Sequence, residues 1–544
     1  MSLITLIVDT GFVTRSCLAL AAGLWLYFLY NILVVPRTSS LRHLPSPNQG
    51  SVWLRLFHEP RALEVEKWVD TIQHNGLFRY HGIFNRERIF VASPDAVKDF
   101  LTTSAYKFIK PELQWLLANN VTGTGLLILE GNAHKEARKG FNPAFSPAQM
   151  KKGFPSLWKL TIDTIDGLPA RIKPTHSLSA DTNVPDEGVV SIMKLIAAVS
   201  IDMFGKFGYG VPFDTLNNIG PKKSQKSIQS KDPKDKFGRA YVELFKMTKR
   251  GQATLEAASL VGAKLALKLP IPAVRSMASI MGLVRQTAED IVINHEKKLS
   301  SQDEKDKFDD DMLSIAMKSG NFTHQDLVTH TIHFFAAGTE TTAATICWAI
   351  HLLSRHPDVQ SRLRDEVRAN ITNTTGDLRD AVSDVQLRGL KYLNAVVQEV
   401  LRFHQPNTFL WRECIEPASI AGVPIPKGKV LVYSPWTLSR DPAYWGPDAR
   451  SFRPERWLES TSGGAINPSS FLPFGAGPRR CIGEQFARDE MICLIAGMIG
   501  RYEFTPIAPE KGTDHGREIG DDFALTLFKI YESWELNVKK IPGW

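Results

Sequence analysis

Cysteine is scarce: Cys17, Cys347, Cys414, Cys481 and Cys493 are the 5 cysteines of a 544-residue chain. Their number is odd, no two form a CxxC pair, and no Cys/His spacing matches a finger, which argues against a disulfide framework and structural zinc. A long basic block is also missing. The formal charge of +8 arises from 65 Lys plus Arg against 57 Asp plus Glu scattered along the chain. A membrane surface or an acidic protein therefore fits the balance at least as well as nucleic acid, which is not expected as a partner. A nucleotide-binding glycine loop is absent too. Gly475 and Gly477 make G-x-G, but the third glycine position holds Arg480 and no Rossmann strand precedes the run. No internal repeat and no break in composition follow residue 50, so the count is one large domain. With 43% hydrophobic and 22% charged residues, a packed core is expected.

Charge is absent altogether from Ser16 to Val35, SCLALAAGLWLYFLYNILVV. At about 1.5 Å per residue this run matches a hydrocarbon core of roughly 30 Å, and it reads as a spanning anchor. A cleaved signal peptide is the rival, but the run exceeds the usual apolar length and no small-x-small site follows. Arg37, Arg42 and His43 come next, which orients the bulk of the chain toward the cytosol. PRTSSLRHLPSPNQG (36–50) reads as a short, fairly stiff linker. The expected division is thus 1–35 with the anchor at about 16–35, linker 36–50, and a domain over 51–544. Helical spacing dominates that domain, as in 356–367 and 390–403, while LFRYHGIFNRERIFVA (77–92) and KVLVYSPW (429–436) supply a minority of strands. Segments 170–188 and 218–238 read as polar surface loops. Asn-x-Ser/Thr triplets at Asn120, Asn321, Asn370 and Asn373 would stay unmodified on the cytosolic side.

One cysteine stands apart. In FLPFGAGPRRCIGEQFA (471–487), Phe474, Gly477, Arg479, Cys481 and Gly483 form F-x-x-G-x-R-x-C-x-G just before a helix. Glycines permit close backbone approach and φ > 0 turns that aim amides at a sulfur. Such amides, with the positive end of the following helix, suit a metal-binding thiolate, and the arginine two residues earlier can reach an anionic edge of a flat macrocycle. A buried structural cysteine in a tight loop is the alternative for this loop taken alone.

At these residues the chain resembles the cytochrome P450 family, the haem-thiolate monooxygenases, and further motifs follow in that family's order. Residues 326–354 form one apolar helical stretch with a single acid, Glu340, inside; a second membrane span is disfavoured by that carboxylate and by His330 and His333. Ala337-Gly338-Thr339-Glu340-Thr341-Thr342 matches A-G-x-E-T-T. A threonine hydroxyl competes for the helical carbonyl about four residues back, so Gly338 and Thr341 are expected to loosen one turn. The resemblance implies that Thr341 hydrogen-bonds dioxygen and Glu340 delivers protons. Glu399 and Arg402 share a helix face. The resemblance joins them to Arg456 of PERW in a buried structural network. His134 and Arg138, at i and i+4, match the helix that holds the haem propionates, although many relatives carry tryptophan where this chain has His134. Arg412 and Arg479 match the remaining propionate partners.

What the resemblance implies is a mainly α fold with a minor β part, one large cytochrome P450-like domain behind a single N-terminal transmembrane helix. Its cofactor is haem b, with iron held by Cys481, and O2 is co-substrate. With no flavin or nicotinamide motif in the chain, electrons must come from NADPH through NADPH-cytochrome P450 reductase, with cytochrome b5 as a second redox partner. Localisation follows as the endoplasmic reticulum membrane, single-pass, with a cytosolic catalytic domain. The substrate is expected to be an apolar small molecule, a terpenoid, alkaloid or polyketide intermediate, with fatty-acid hydroxylation as the alternative. The pocket is expected to draw on 111–128, His333, Ala337, Asn407 and Phe409 within 407–410. A haem-thiolate isomerase or peroxide-rearranging enzyme and a non-catalytic haem sensor or scaffold are the rival readings. Glu340 and Thr341 argue against the isomerase.

Overall fold

The apolar spacing of 326–354 is realised as one unbroken helix, His324–Arg355, whose start is fixed by its flanking residues. The Thr323 hydroxyl accepts the Asp326 N–H at 3.2 Å, and the Asp326 carboxylate accepts the Thr323 N–H at 3.0 Å. Two donors that a helix start leaves without partners are thereby satisfied. The computed structural model describes residues 10–56, 58–111, 123–173, 186–218, 272–300, 311–371, 377–380, 382–507 and 535–544. Its principal helices, in chain order, are α1 (Thr10–Leu29), α2 (Gly131–Phe141), α3 (Pro147–Asp166), α4 (Ile192–Tyr209), α5 (Pro272–Ser300), α6 (His324–Arg355), α7 (Pro357–Asn370), α8 (Lys391–Phe403) and α9 (Glu484–Arg501). Helix α6 runs through the middle, packed by α4, α5, α8 and α9. That is why most of its side chains are buried.

The β part is small, as expected. Strands β1 (Leu77–Gly82), β2 (Arg86–Val91), β3 (Phe108–Ile109), β4 (Glu187–Ser191), β5 (Leu410–Cys414), β6 (Ala418–Ile420), β7 (Val423–Ile425), β8 (Val430–Tyr433), β9 (Tyr502–Pro506) and β10 (Glu535–Lys540) form three sheets. The largest has the order β1-β2-β8-β5-β3, antiparallel except where β2 meets β8. The β1–β2 turn closes with Asn85 at φ 54°, a left-handed conformation that asparagine tolerates better than most residues.

The stretch at 16–35 is helical, α1 continuing into a π-helical turn at Tyr30–Val34, and Leu18, Leu20, Trp25, Leu26 and Tyr27 are exposed. Among the described residues no helix is long and apolar enough to cross a membrane. Residues 36–50, expected as a short, fairly stiff linker, are fastened to the sheet. Leu41 and Leu44 are buried in the sheet's core, Ser39 donates to Glu87 at 2.7 Å, and Gln49 exchanges two hydrogen bonds with the His81 backbone. Apolar leucines at 41 and 44 outweigh the breakers around them. Parts of the expected loops (112–122, 174–185, 219–238) and Asn120 and Asn373 lie outside the described residues.

Candidate active site

Cys481 is set by a loop that closes on itself. Its N–H donates to the Phe474 carbonyl at 2.8 Å, and the Phe474 ring is covered by the Arg488 guanidinium 5.0 Å away. Gly475 and Gly477 take φ of 70° and 66°, and a Cβ on Gly477 would overlap the Leu101 carbonyl oxygen. Any other residue there would push the loop off its seat. Gly483 then caps α9 and turns its N–H to the Cys481 sulfur. Cys481 keeps free surface although protein surrounds it. That combination places the thiol at an opening within the protein. Desolvation pushes it above its ordinary value of 9.0, opposed by the Gly483 N–H and by Arg138 and Arg480. Cys347 and Cys493 are buried and offer no such surface.

Helix α6 supplies an opening in an otherwise packed rod. Ala337 is exposed and Gly338, Glu340 and Thr341 are half-buried, whereas the flanking turns are closed. The Thr341 hydroxyl donates to the Ala337 carbonyl at 2.8 Å, as its position predicts, and Thr339 and Thr345 make the same bond to Phe335 and Thr341. The helix nevertheless stays unbroken, contrary to the expected loosened turn. Gly338 serves packing instead: a Cβ there would overlap the Phe204 ring of α4. Glu340 is raised to about 8 by desolvation alone. A carboxyl kept neutral near pH 7 can donate a proton where an ionised one cannot.

Positive charge gathers beside the thiol. Arg479, two residues before Cys481, donates to the Leu129 carbonyl at 3.0 Å and pairs with Glu130. Lys110 lies 3.6 Å from the same carboxylate and is lowered to about 7 by burial and by Arg412, with Glu130 opposing. Burial likewise lowers Arg412 to about 10, Glu130 opposing and Arg479 adding to the fall. His134 is lowered to about 4, first by burial and then by Arg479, Arg138, Lys110 and Arg412, so it is neutral, with Tyr106 Oη 3.3 Å from its Nδ1. Arg138 reaches the loop itself, donating to the Arg480 carbonyl at 2.6 Å. Three enclosed cations thus share one carboxylate, and Arg479 keeps a buried Nε without a partner. The donor set fits an iron porphyrin: one accessible thiol for the metal and surplus cations for its two carboxylates.

The expected network is present. Both carboxylate oxygens of Glu399 bind Arg402, at 2.7 and 2.9 Å, and Oε1 also accepts Arg456 Nε at 3.1 Å and the Arg453 N–H at 2.8 Å. Burial pushes the Glu399 carboxyl up, but Arg402 and Arg456 outweigh it and hold it below 4.5. Arg402 donates onward to the carbonyls of Ser439, Ala449 and Ser451. The segment leading toward the cysteine loop is thereby tied to α8.

Two expected pocket residues are used elsewhere. Phe409 is 2% exposed and packs with Trp411, Trp436 and Trp348, because β5 begins there and turns the ring into the sheet's core. His333 is buried, its Nε2 2.7 Å from the Gly123 carbonyl and 3.2 Å from Gly125 N, while His330 Nδ1 accepts the Leu126 N–H at 3.2 Å. The two imidazoles latch residues 123–126 to α6. Ala337 and Asn407 retain free surface. Sequence reading missed Lys110, Glu130, Tyr106 and the latching role of His330. Only Lys110, the second lysine in the run YKFIKPE, could have drawn notice.

Comparison with known proteins gives a consistent result. A family model described as Cytochrome P450 matches residues 70–520. The chain is 32% identical to cytochrome P450 monooxygenase sphH of Aspergillus fumigatus over 97% of this chain and 94% of that protein. It is 30% identical to cytochrome P450 monooxygenase FSL4 of Gibberella zeae, over 88% of this chain and 85% of that one.

Proposed function

The chain belongs to the cytochrome P450 family and is a monooxygenase, and from that premise we propose that it inserts one oxygen atom from O2 into an apolar secondary-metabolite intermediate of terpenoid, alkaloid or polyketide type. The observation that carries this reading is Cys481, accessible although protein surrounds it and oriented by Phe474 and Gly483. Haem b, bound through that sulfur, supplies dioxygen activation. The chain's own groups do the rest. Glu340 holds a proton at its carboxyl, the Thr341 hydroxyl, now bonded to the Ala337 carbonyl, would be free to turn toward dioxygen, and Ala337 and Asn407 would face the substrate. Arg412, Arg479, Lys110 and His134 seat the anionic edge of the cofactor.

Electrons come from NADPH-cytochrome P450 reductase, with cytochrome b5 as a second donor. Arg480, exposed beside Cys481, and exposed Lys135 and Lys139 on α2 suit an acidic partner face. Residues 16–35 anchor the protein in the endoplasmic reticulum membrane with the domain on the cytosolic side; the apolar surface exposed along α1 supports this. The test is spectroscopic and kinetic. Cys481→Ser loses the red-shifted carbon monoxide difference spectrum, while Cys347→Ser and Cys493→Ser keep it. Wild-type protein with reductase consumes NADPH faster when an apolar compound from a panel displaces the iron's water. A normal spectrum for Cys481→Ser overturns the assignment.

A further inference from the structure

Where the chain passes from α1 to the domain, a cavity of about 240 Å³ is lined by Arg37, Arg42, Arg55, Arg79, His81 and Asn85. Among the described residues lining it there is no carboxylate. The nearest acid, Glu87, is 3.5 Å from Arg79 but engaged by Lys429 at 2.6 Å and Ser39 at 2.7 Å. Four arginines therefore line one cavity, with Arg37 close enough to act electrostatically on Arg55 and both Arg55 and Arg79 close enough to act on His81. Arg55 is lowered by burial and then by Arg37, and His81 falls to about 4 through burial, Arg55 and Arg79, so the imidazole is neutral. Arg55 Nε, Arg79 Nε and His81 Nε2 are buried without hydrogen-bond partners. Unmet donors in a cationic cavity call for an anion with several acceptor oxygens, and guanidinium groups suit phosphate best.

The surroundings say where that phosphate comes from. Trp53 and Leu54, beside Arg55, are 70% and 71% exposed, and Tyr30, Val34 and Val35, next in sequence to the cavity-lining Leu33 and Pro36, are exposed as well. An anionic cavity ligand rimmed by exposed apolar and aromatic side chains at the end of an apolar helix is the arrangement of a membrane interface. We propose that this cavity binds the phosphate headgroup of an anionic phospholipid, with Trp53 and Leu54 in the acyl boundary. The ligand class rests on the membrane-anchored reading above, while the cavity's affinity for phosphate oxygens does not.

The experiment uses the full-length holoenzyme. Its melting, followed at the haem absorbance, is measured with dihexanoylphosphatidic acid, dihexanoylphosphatidylcholine and inorganic phosphate. Binding to vesicles of phosphatidylcholine alone is measured separately by flotation. Phosphatidic acid raises the midpoint and phosphatidylcholine and inorganic phosphate do so far less. Arg42→Gln/Arg55→Gln weakens the phosphatidic acid response at least about tenfold in apparent affinity, since two charge-assisted contacts are lost, and Lys151→Gln/Lys152→Gln, two charges removed from the surface of α3, leaves it unchanged. Equal shifts by all three ligands, equal shifts by phosphatidic acid and inorganic phosphate, or an unaltered response in the arginine variant would each overturn the proposal. Failure to float on phosphatidylcholine vesicles would instead refute the anchor, and a phosphatidic acid shift would still establish the cavity.

Discussion

Replacing Glu399 by glutamine tests a fully buried charge. The side chain keeps its shape, but an NH2 replaces one oxygen and the charge disappears. If the remaining oxygen takes the Oε1 position, it retains Arg402 Nη2, Arg456 Nε and the Arg453 N–H, while the new NH2 faces Arg402 Nε and Trp457 Nε1, both 2.9 Å from Oε2 in the wild type. Two donors then oppose a donor. Arg402 and Arg456, both essentially inaccessible, lose their shared counter-charge; Arg402 keeps three backbone carbonyls and Arg456 keeps Asp448 at 3.1 Å. Removing one partner of a buried pair costs about 3–5 kcal/mol, and the surviving contacts place this case toward the lower end. That is a large share of the ~5–15 kcal/mol by which a folded domain is stable. Urea unfolding of the holoenzyme, read by haem absorbance and tryptophan fluorescence, should show the loss. Its pH dependence gives a second check. Since Glu399 is held below 4.5, its contribution is complete above that value and is lost as pH falls through its lower native value. The gap between wild type and variant therefore narrows in acid. A gap under about 1 kcal/mol that does not change with pH would refute the role given to this network.

Thr341→Ala keeps the thiolate-haem spectrum and continues to consume NADPH with reductase, but releases more peroxide and less oxygenated product. The drop in product per NADPH falls near or below the low end of the about 10²- to 10⁴-fold range for proton-transfer groups, because water partly replaces the hydroxyl; an unchanged ratio sinks the assignment. Glu340, raised to about 8, is a proton donor below that pH and an anion above it, so product per NADPH declines as pH rises through about 8. Glu340→Gln removes this decline, and a variant that retains it points to another group. His330→Ala and His333→Ala release residues 123–126 from α6. Amide exchange at Leu126 and Gly125 should rise about fivefold or more for a lost bond worth ~1 kcal/mol, whereas unchanged protection contradicts the latch.

The parts of the site legible in the sequence are those whose chemistry is written into a short run. Phe474 to Gly483 encodes its own turn, because the glycines at 475 and 477 have left-handed backbones and the cysteine's amide partner lies seven residues away. Thr341 and Ala337, or Glu399 and Arg402, meet because helical spacing forces them to. The cation cluster is different. Arg479 meets Glu130 across 349 positions, and no periodicity predicts that an isolated Lys110 and Arg479 will face the same carboxylate. Phe409 and His333 find their neighbours for a related reason: the ring at 409 packs with Trp348, Trp411 and Trp436, and His333 Nε2 lies against the Gly123 carbonyl 210 residues away, which no local spacing announces. Residues 36–50 were read from their prolines, whereas two leucines fixed their course.

That course has a mechanical consequence. The Asn85 amide holds the Ile32 carbonyl at 2.6 Å, and Ser39, Leu41, Leu44 and Gln49 fasten the following stretch to the sheet. Such a stretch is a bracket rather than a rope. The domain cannot tumble freely about the N-terminal helix, so the direction of that helix and the orientation of the domain are set together. Lengthening residues 36–50 would not extend a tether; it would remove a joint that holds the domain against α1.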